Sequence, residues 1–208
     1  MLHCSHMTYT AKAFNLPTLS GISEKQIKVH LALYEGYVKH VNLMAETLHG
    51  YASYGDKATE GDKYAITELR RRFAFEFDGM RMHEYYFEQF EAGATAANQN
   101  SPLASVATEK YGAAGLVGHI KEVAGSRGIG WVVVYYDPTV KVLHTTFVAD
   151  HEVGQLAGLP IILVLDLWEH AYMVDYVPAE KKNYIDAFFA NLNWSVAEAR
   201  FAKAMSAA

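Results

Sequence analysis

The stretch Ile161-Ile162-Leu163-Val164-Leu165-Asp166-Leu167-Trp168-Glu169-His170-Ala171-Tyr172 runs an apolar segment into a carboxylate and sets a histidine four residues after it. A short apolar run with β-branched residues, bounded by Pro160, reads as a buried strand from Pro160 to Asp166. A carboxylate at the end of such a strand is costly to bury unless a cation or strong donors meet it. Two readings stand. Asp166 caps the next turn with His170 as its hydrogen-bond partner, or Asp166 and His170 are part of a metal-binding set.

Outward from this strand, Gly130 to Tyr136 and Val140 to Val148 are also rich in Val, Thr and Tyr, and Asp137-Pro138 reads as the turn between them. Three strands, mostly antiparallel, are expected. Nearer the start, apolar residues recur at spacings of three and four. Ser23 with Gln26 fits a capping box, and His30, Leu33, Tyr37, Val41, Met44 and Leu48 follow on one helical stripe. A second stripe carries Leu69, Phe73, Met80, His83, Phe87 and Phe90, between Gly61 and Gly93. The small and polar stretch from Ala92 to Ser105 marks a junction. Beyond it Ser101-Pro102 starts a helix, Leu116 to Val123 keeps helical spacing, and Pro178 to Met205 returns to helix. The expected class is α+β: an N-terminal antiparallel helical hairpin domain, 1–95, followed by a C-terminal mixed α/β domain, 96–208, with a three-stranded antiparallel sheet.

The composition narrows the function. Of 208 residues, 51% are hydrophobic and 13% aromatic, which excludes global disorder. No apolar stretch approaches the roughly 20 residues of a membrane span, and Met1 to Met7 lack a secretory pattern, so a cytoplasmic protein is expected. Cys4 is the only cysteine, ruling out an intrachain disulfide and a multi-cysteine zinc site. Arg70-Arg71-Arg72 is the only basic cluster in a chain of net charge −5, and it reads as a solvated helix face rather than a nucleic-acid surface. Ten histidines direct attention to metal or proton chemistry. His30 and His83 fall on facing apolar stripes. Each alone reads as a hydrogen-bonded core histidine, but with Asp166 and His170 they form a thiolate-free N/O set, which suits iron or manganese better than structural zinc.

These residues also carry a resemblance. Asp166-Leu167-Trp168-Glu169-His170-Ala171-Tyr172 resembles the signature of the iron/manganese superoxide dismutase family. His30 followed by Gly36-Tyr37-Val38 resembles the family's first-helix ligand and its tyrosine-valine pair. Gly79-Met80-Arg81-Met82-His83 resembles the segment ending in the second ligand, and Gly128-Ile129-Gly130-Trp131 the glycine-rich entry to the first strand. Asn193-Trp194 and Ala199-Arg200-Phe201 resemble the closing helix, so the match runs from about His30 to Phe201.

The resemblance implies one Fe or Mn ion per subunit, held by His30, His83, Asp166, His170 and a solvent molecule, with superoxide as substrate. It implies that Tyr37 gates the channel and that Trp131 and Trp168 wall the site. Glu169 and Tyr172 would act across a subunit interface, in a homodimer or dimer of dimers. The glutamine that in the family hydrogen-bonds the metal-bound solvent is absent. Gly79 stands at its helix position, and the loop Val148-Ala149-Asp150-His151 offers His151 in its place. The interval from His30 to Tyr37 is one residue shorter than usual and lacks the second gateway histidine. Met173 replaces a second aromatic, and Lys181 stands where a basic residue, commonly arginine, steers the anion. Rival readings are a non-haem iron oxygenase using two histidines and a carboxylate, and a catalytically silent member of the same fold.

Overall fold

The computed structural model describes residues 8–206, and Cys4 lies outside them. Helix α1 (Glu24–Ala52) begins where Ser23 Oγ accepts the Gln26 amide at 3.0 Å. Only half of the expected capping box forms. The Gln26 side chain turns inward instead, donating to the His170 carbonyl and accepting from the Val174 amide. Helix α2 (Glu60–Glu88) opens with a full capping box between Thr59 and Asp62 and packs along α1 as the hairpin the periodicity predicts.

The buried face of α1 is Gln26, His30, Tyr34, Val38 and Val41. Leu33, expected on that face, is exposed, because Tyr34 takes the inward position. Its ring packs in the core while its hydroxyl donates to Glu84 and accepts from the Lys12 amide. A tyrosine can be buried at little cost when its polar tip finds such partners.

Helices α3 (Pro102–Tyr111) and α4 (Gly115–Ala124) lead into β1 (Gly130–Asp137), β2 (Val142–Ala149) and β3 (Ile161–Asp166). The sheet order is β2-β1-β3, antiparallel throughout. β1 is central and buried on both faces, which is why Trp131 to Tyr136 reads as an unbroken apolar run rather than an alternating one. Its register pairs Trp131 with Asp166 on one side and Val148 on the other. The tail, expected as helix from Pro178 to Met205, divides into α5 (Lys181–Asn191) and α6 (Trp194–Ser206). Asn193 breaks it: its side chain accepts from the Ser195 amide and donates to the Glu91 carbonyl.

One buried side chain fastens the hairpin to the sheet. Gln89 donates to the Val164 carbonyl at 2.8 Å and accepts the Val164 amide at 2.9 Å, so it pairs with β3 as a neighbouring backbone would. This holds the end of α2, and His83 with it, over β3.

Gly130 sets the other boundary of the site. Its φ is +145°, and a Cβ there would lie 2.0 Å from the Val148 carbonyl oxygen. Its own carbonyl accepts the Leu167 amide at 2.8 Å, tying the start of β1 to the end of β3. Gly130→Ala is therefore expected to cost about 3 kcal/mol or more, read as a lower denaturation midpoint of the metal-free protein in urea.

Candidate metal centre

Three imidazoles converge on one carboxylate. His30 from α1 places Nε2 3.0 Å from Asp166 Oδ2, His83 from α2 places Nε2 at 3.8 Å, and His170, just beyond β3, places Nε2 at 3.4 Å. Among the described residues, one ligand atom from each of the four lies within 4.8 Å of every other. His30, His83 and Asp166 have no solvent exposure, while the His170 side chain keeps 16%. The core-histidine reading thus gives way to a cluster, open to solvent on the His170 side.

Asp166 is held in every direction. Its Oδ1 accepts the Trp168 amide at 2.8 Å, and its backbone carbonyl accepts the Tyr184 hydroxyl at 2.8 Å. The capping reading was therefore right about the local geometry, and Oδ2 is left for the imidazoles. Burial alone would raise the carboxyl's pKa, but the His170 charge and the hydrogen bonds from His170 and His30 outweigh it and hold the group well below the ordinary carboxylate value. Burial pushes His30 down, and pushes His83 down further, aided by the neighbouring His30. The ionised carboxylate with neutral His30 and His83 is the state we adopt.

The residues fit a metal ion. The Gly79 carbonyl, 2.6 Å from His83 Nδ1, can only accept, so His83 carries its proton there. Its Nε2 lone pair then faces His170 Nε2 at 3.3 Å and the Asp166 carboxylate. Four nitrogen and oxygen donors within 4.8 Å of one another, with three of the four residues fully buried, suit a cation. The donors are nitrogen and oxygen only, a set that suits iron or manganese.

A second chain of hydrogen bonds flanks the cluster. Trp131 Nε1 can only donate, and it does so to His151 Nδ1 at 3.0 Å. The proton of neutral His151 is therefore on Nε2, where it is donated to Tyr37 Oη at 2.7 Å. The phenolic proton is left free to point elsewhere. Burial pushes His151 down to about 4 and keeps it neutral, while burial and then the Asp166 charge push Tyr37 up, so the phenol stays protonated. Tyr37 lies against α2, where a Cβ on Gly79 would come 2.7 Å from its ring. Trp131 meets the His83 ring edge-on at 5.1 Å, and Trp168 stacks on His151 at 4.8 Å and on His170 at 5.6 Å.

The remaining sequence candidates lie at the edge. Glu169 is exposed, while Tyr172 is buried within the chain and stacks on Tyr184 at 5.2 Å. Met173 is exposed. Lys181 donates to the Ser126 carbonyl at 3.2 Å, in a shallow cavity with Lys121, Arg127 and Lys182. Sequence reasoning missed Gln26 and Phe75. The first was assigned a capping role by its spacing from Ser23. The second, whose ring meets His151 at 4.5 Å, falls off the apolar stripe of α2 and had no signal.

Residues 98–200 match the family described as iron/manganese superoxide dismutases, C-terminal domain. Among similar proteins, a protein named superoxide dismutase [Fe] from Aquifex aeolicus (strain VF5) is 33% identical over 91% of this chain and 88% of its own. Another of that name, from Cupriavidus metallidurans, is 32% identical over 90% of this chain and 92% of its own. A superoxide dismutase [Mn] from Haloarcula marismortui is 28% identical over 85% of this chain and 83% of its own.

Behind His151 lies a pair of acids. Glu152 Oε2 is buried without a hydrogen-bond partner, and Asp78 on α2 is pushed up to about 6 by burial and by the Glu152 charge. A carboxyl raised in the fold favours folding while protonated, and that contribution is lost as pH rises through about 6. Asp78→Asn is thus expected to stabilise the protein by about 1 kcal/mol at pH 7.5, with solvent screening of this half-buried group allowed for, and by almost nothing at pH 4. Urea denaturation at the two pH values checks it.

Proposed function

The chain belongs to the iron/manganese superoxide dismutase family, and from that membership and the buried cluster we infer that it converts superoxide to dioxygen and hydrogen peroxide. We propose His30, His83, Asp166 and His170 as the ligands of one iron or manganese ion. The observation that carries this is the convergence of three imidazole Nε2 atoms on Asp166 Oδ2. Bound there, the metal supplies one-electron redox chemistry by alternating between +3 and +2.

The chain's own groups do the rest. The Asp166 carboxylate puts one negative charge beside the metal, which favours the higher oxidation state. Tyr37 keeps its proton and, with His151 donating to its oxygen, directs it toward the reacting anion. His151 acts on the site through Tyr37, fixed by Trp131 behind it. Trp131 and Trp168 exclude bulk water and leave room for a small substrate rather than an organic one. Product peroxide needs two protons, and the wall of Tyr37 and the partly exposed His170 is where they enter.

The proposal extends to the setting. The boundary between hairpin and α/β domain lies at residues 95–96, supported by the left-handed Ala92 and Gly93 that end the α2 segment. Assembly is with a second copy, as a homodimer or a dimer of dimers, with Glu169 and Tyr172 at the contact; the exposed Met173, Val174 and Val177 beside them support it. Residence is cytoplasmic, in keeping with a single cysteine in the whole chain.

The test is to strip the metal, reload with iron and with manganese separately, and score superoxide disproportionation per bound metal. About one metal per chain and turnover by at least one form are expected; stoichiometric metal without turnover by either form would sink the reading. His83→Ala should abolish metal retention. Tyr37→Phe should retain metal and lower turnover roughly 10- to 100-fold by removing the positioned proton.

A further inference from the structure

The three consecutive arginines on α2 do not share one environment. Arg71 is spent on Glu68, which it meets through two nitrogens on the exposed face of the helix. Arg72 lies over the Phe75 ring, 3.6 Å from its centroid, and donates to Glu76 at 3.1 Å, while its side chain remains 49% exposed. Phe75 is part of the wall of the site. Its ring meets His151 at 4.5 Å, Tyr37 at 6.2 Å and Trp168 at 6.3 Å. The guanidinium therefore sits on the outer side of the half-buried residues that separate the metal cluster from solvent.

We propose that Arg72 is the cation that draws superoxide to the entrance lined by Phe75, Tyr37 and Trp168, with Glu76 holding it there and muting its charge. The inference rests on the superoxide dismutase reading. An anionic substrate approaching a chain of net charge −5 needs a local positive potential, since a charged cleft mouth governs the encounter rate. Lys181 is the cation the family resemblance suggests for this task, but its ammonium is directed at the Ser126 carbonyl, in a cavity with Lys121, Arg127 and Lys182 that none of Phe75, Tyr37 and Trp168 lines. Tyr37 and His151 both feel Arg72, Tyr37 after the larger effects of burial, Asp166 and Glu76, and His151 after those of burial, Asp166 and His170. A guanidinium stacked on an aromatic face keeps its charge, its exposure and a fixed position, as steering requires. Glu76 is mostly buried and pairs with Arg72 from below, so the attractive charge is directed outward.

The test has two readouts, one of which needs no metal. In the metal-loaded enzyme, Arg72→Gln should lower kcat/KM about threefold at roughly 10 mM ionic strength, with the difference fading at physiological salt. Arg72→Lys should restore most of the loss. Glu76→Gln, which unmasks the guanidinium, should raise kcat/KM, an effect of opposite sign that damage to the fold would not produce. In the metal-free protein carrying Trp194→Phe, Trp168 is the accessible fluorophore because Trp131 is fully buried. Its quenching by iodide relative to neutral acrylamide should fall about twofold in Arg72→Gln. This second result stands or falls independently of catalysis, so a failed dismutase reading and a failed entrance cation are told apart. An unchanged salt dependence together with an unchanged iodide-to-acrylamide ratio in Arg72→Gln overturns the proposal, as does finding that Lys181→Gln carries the loss instead.

Discussion

The structure turns on a carboxylate that has no exposure to water and no lysine or arginine beside it. Asp166 sits at the end of an apolar strand, where an ionised group costs several kcal/mol unless it is compensated. Compensation arrives from separate parts of the chain: His30 on α1, His83 on α2 and His170 after β3. Neutral His30 and His83 can hydrogen-bond the carboxylate but do not cancel its charge. A divalent or trivalent cation bound there would, and its binding free energy would then help hold α1, α2 and β3 together. The fold and the chemistry have the same requirement.

Bringing the ligands together leaves polar groups to be satisfied behind them, and the supporting residues are chosen for that. Gln89 pairs with the backbone of β3, Tyr184 donates to the Asp166 carbonyl, and Gln26 bridges α1 to the segment after His170. Each puts a buried polar side chain against backbone, where a hydrogen bond is hard to replace by water. These contacts orient the ligands rather than touch the reacting atoms. They hold the cluster in position independently of a metal ion.

How legible this was from the chain depended on whether a residue's role is local. The proposed ligands of the Asp166 to Tyr172 segment stood out because a strand that ends in a carboxylate breaks a simple rule of burial. The hairpin and the three strands followed from periodicity, and β1 declared its central position through an unbroken apolar run. Roles set by distant contacts were hidden. Leu33 and Tyr34 are both apolar enough for the core, and only Glu84 and the Lys12 amide, far along the chain, decide for Tyr34. Gln26 looked like a cap because its spacing from Ser23 is local while its real partners lie at His170 and Val174. Asn193 stops the tail helix by reaching Glu91, which no helical period reports. Arg72 looked like one of three solvated arginines, since nothing in its neighbours along the chain reveals that Phe75 faces His151.

The departures from the family pattern around Tyr37 also make sense only together. In an uninterrupted helix at about 100° per residue, a side chain seven positions on returns to within roughly 20° of the same face. The shortened interval therefore brings Tyr37 onto the His30 side of α1, where it would run into α2. Gly79 is what makes room, since a Cβ at that position would overlap the ring. A glutamine cannot occupy position 79 beside Tyr37, so any hydrogen bond to the phenol side of the site has to come from another element. The loop after β2 supplies it through His151, whose ring is oriented by Trp131 so that Nε2 carries the proton. A shorter interval, a glycine and a histidine are thus one packing solution: each removes a conflict that the previous one creates.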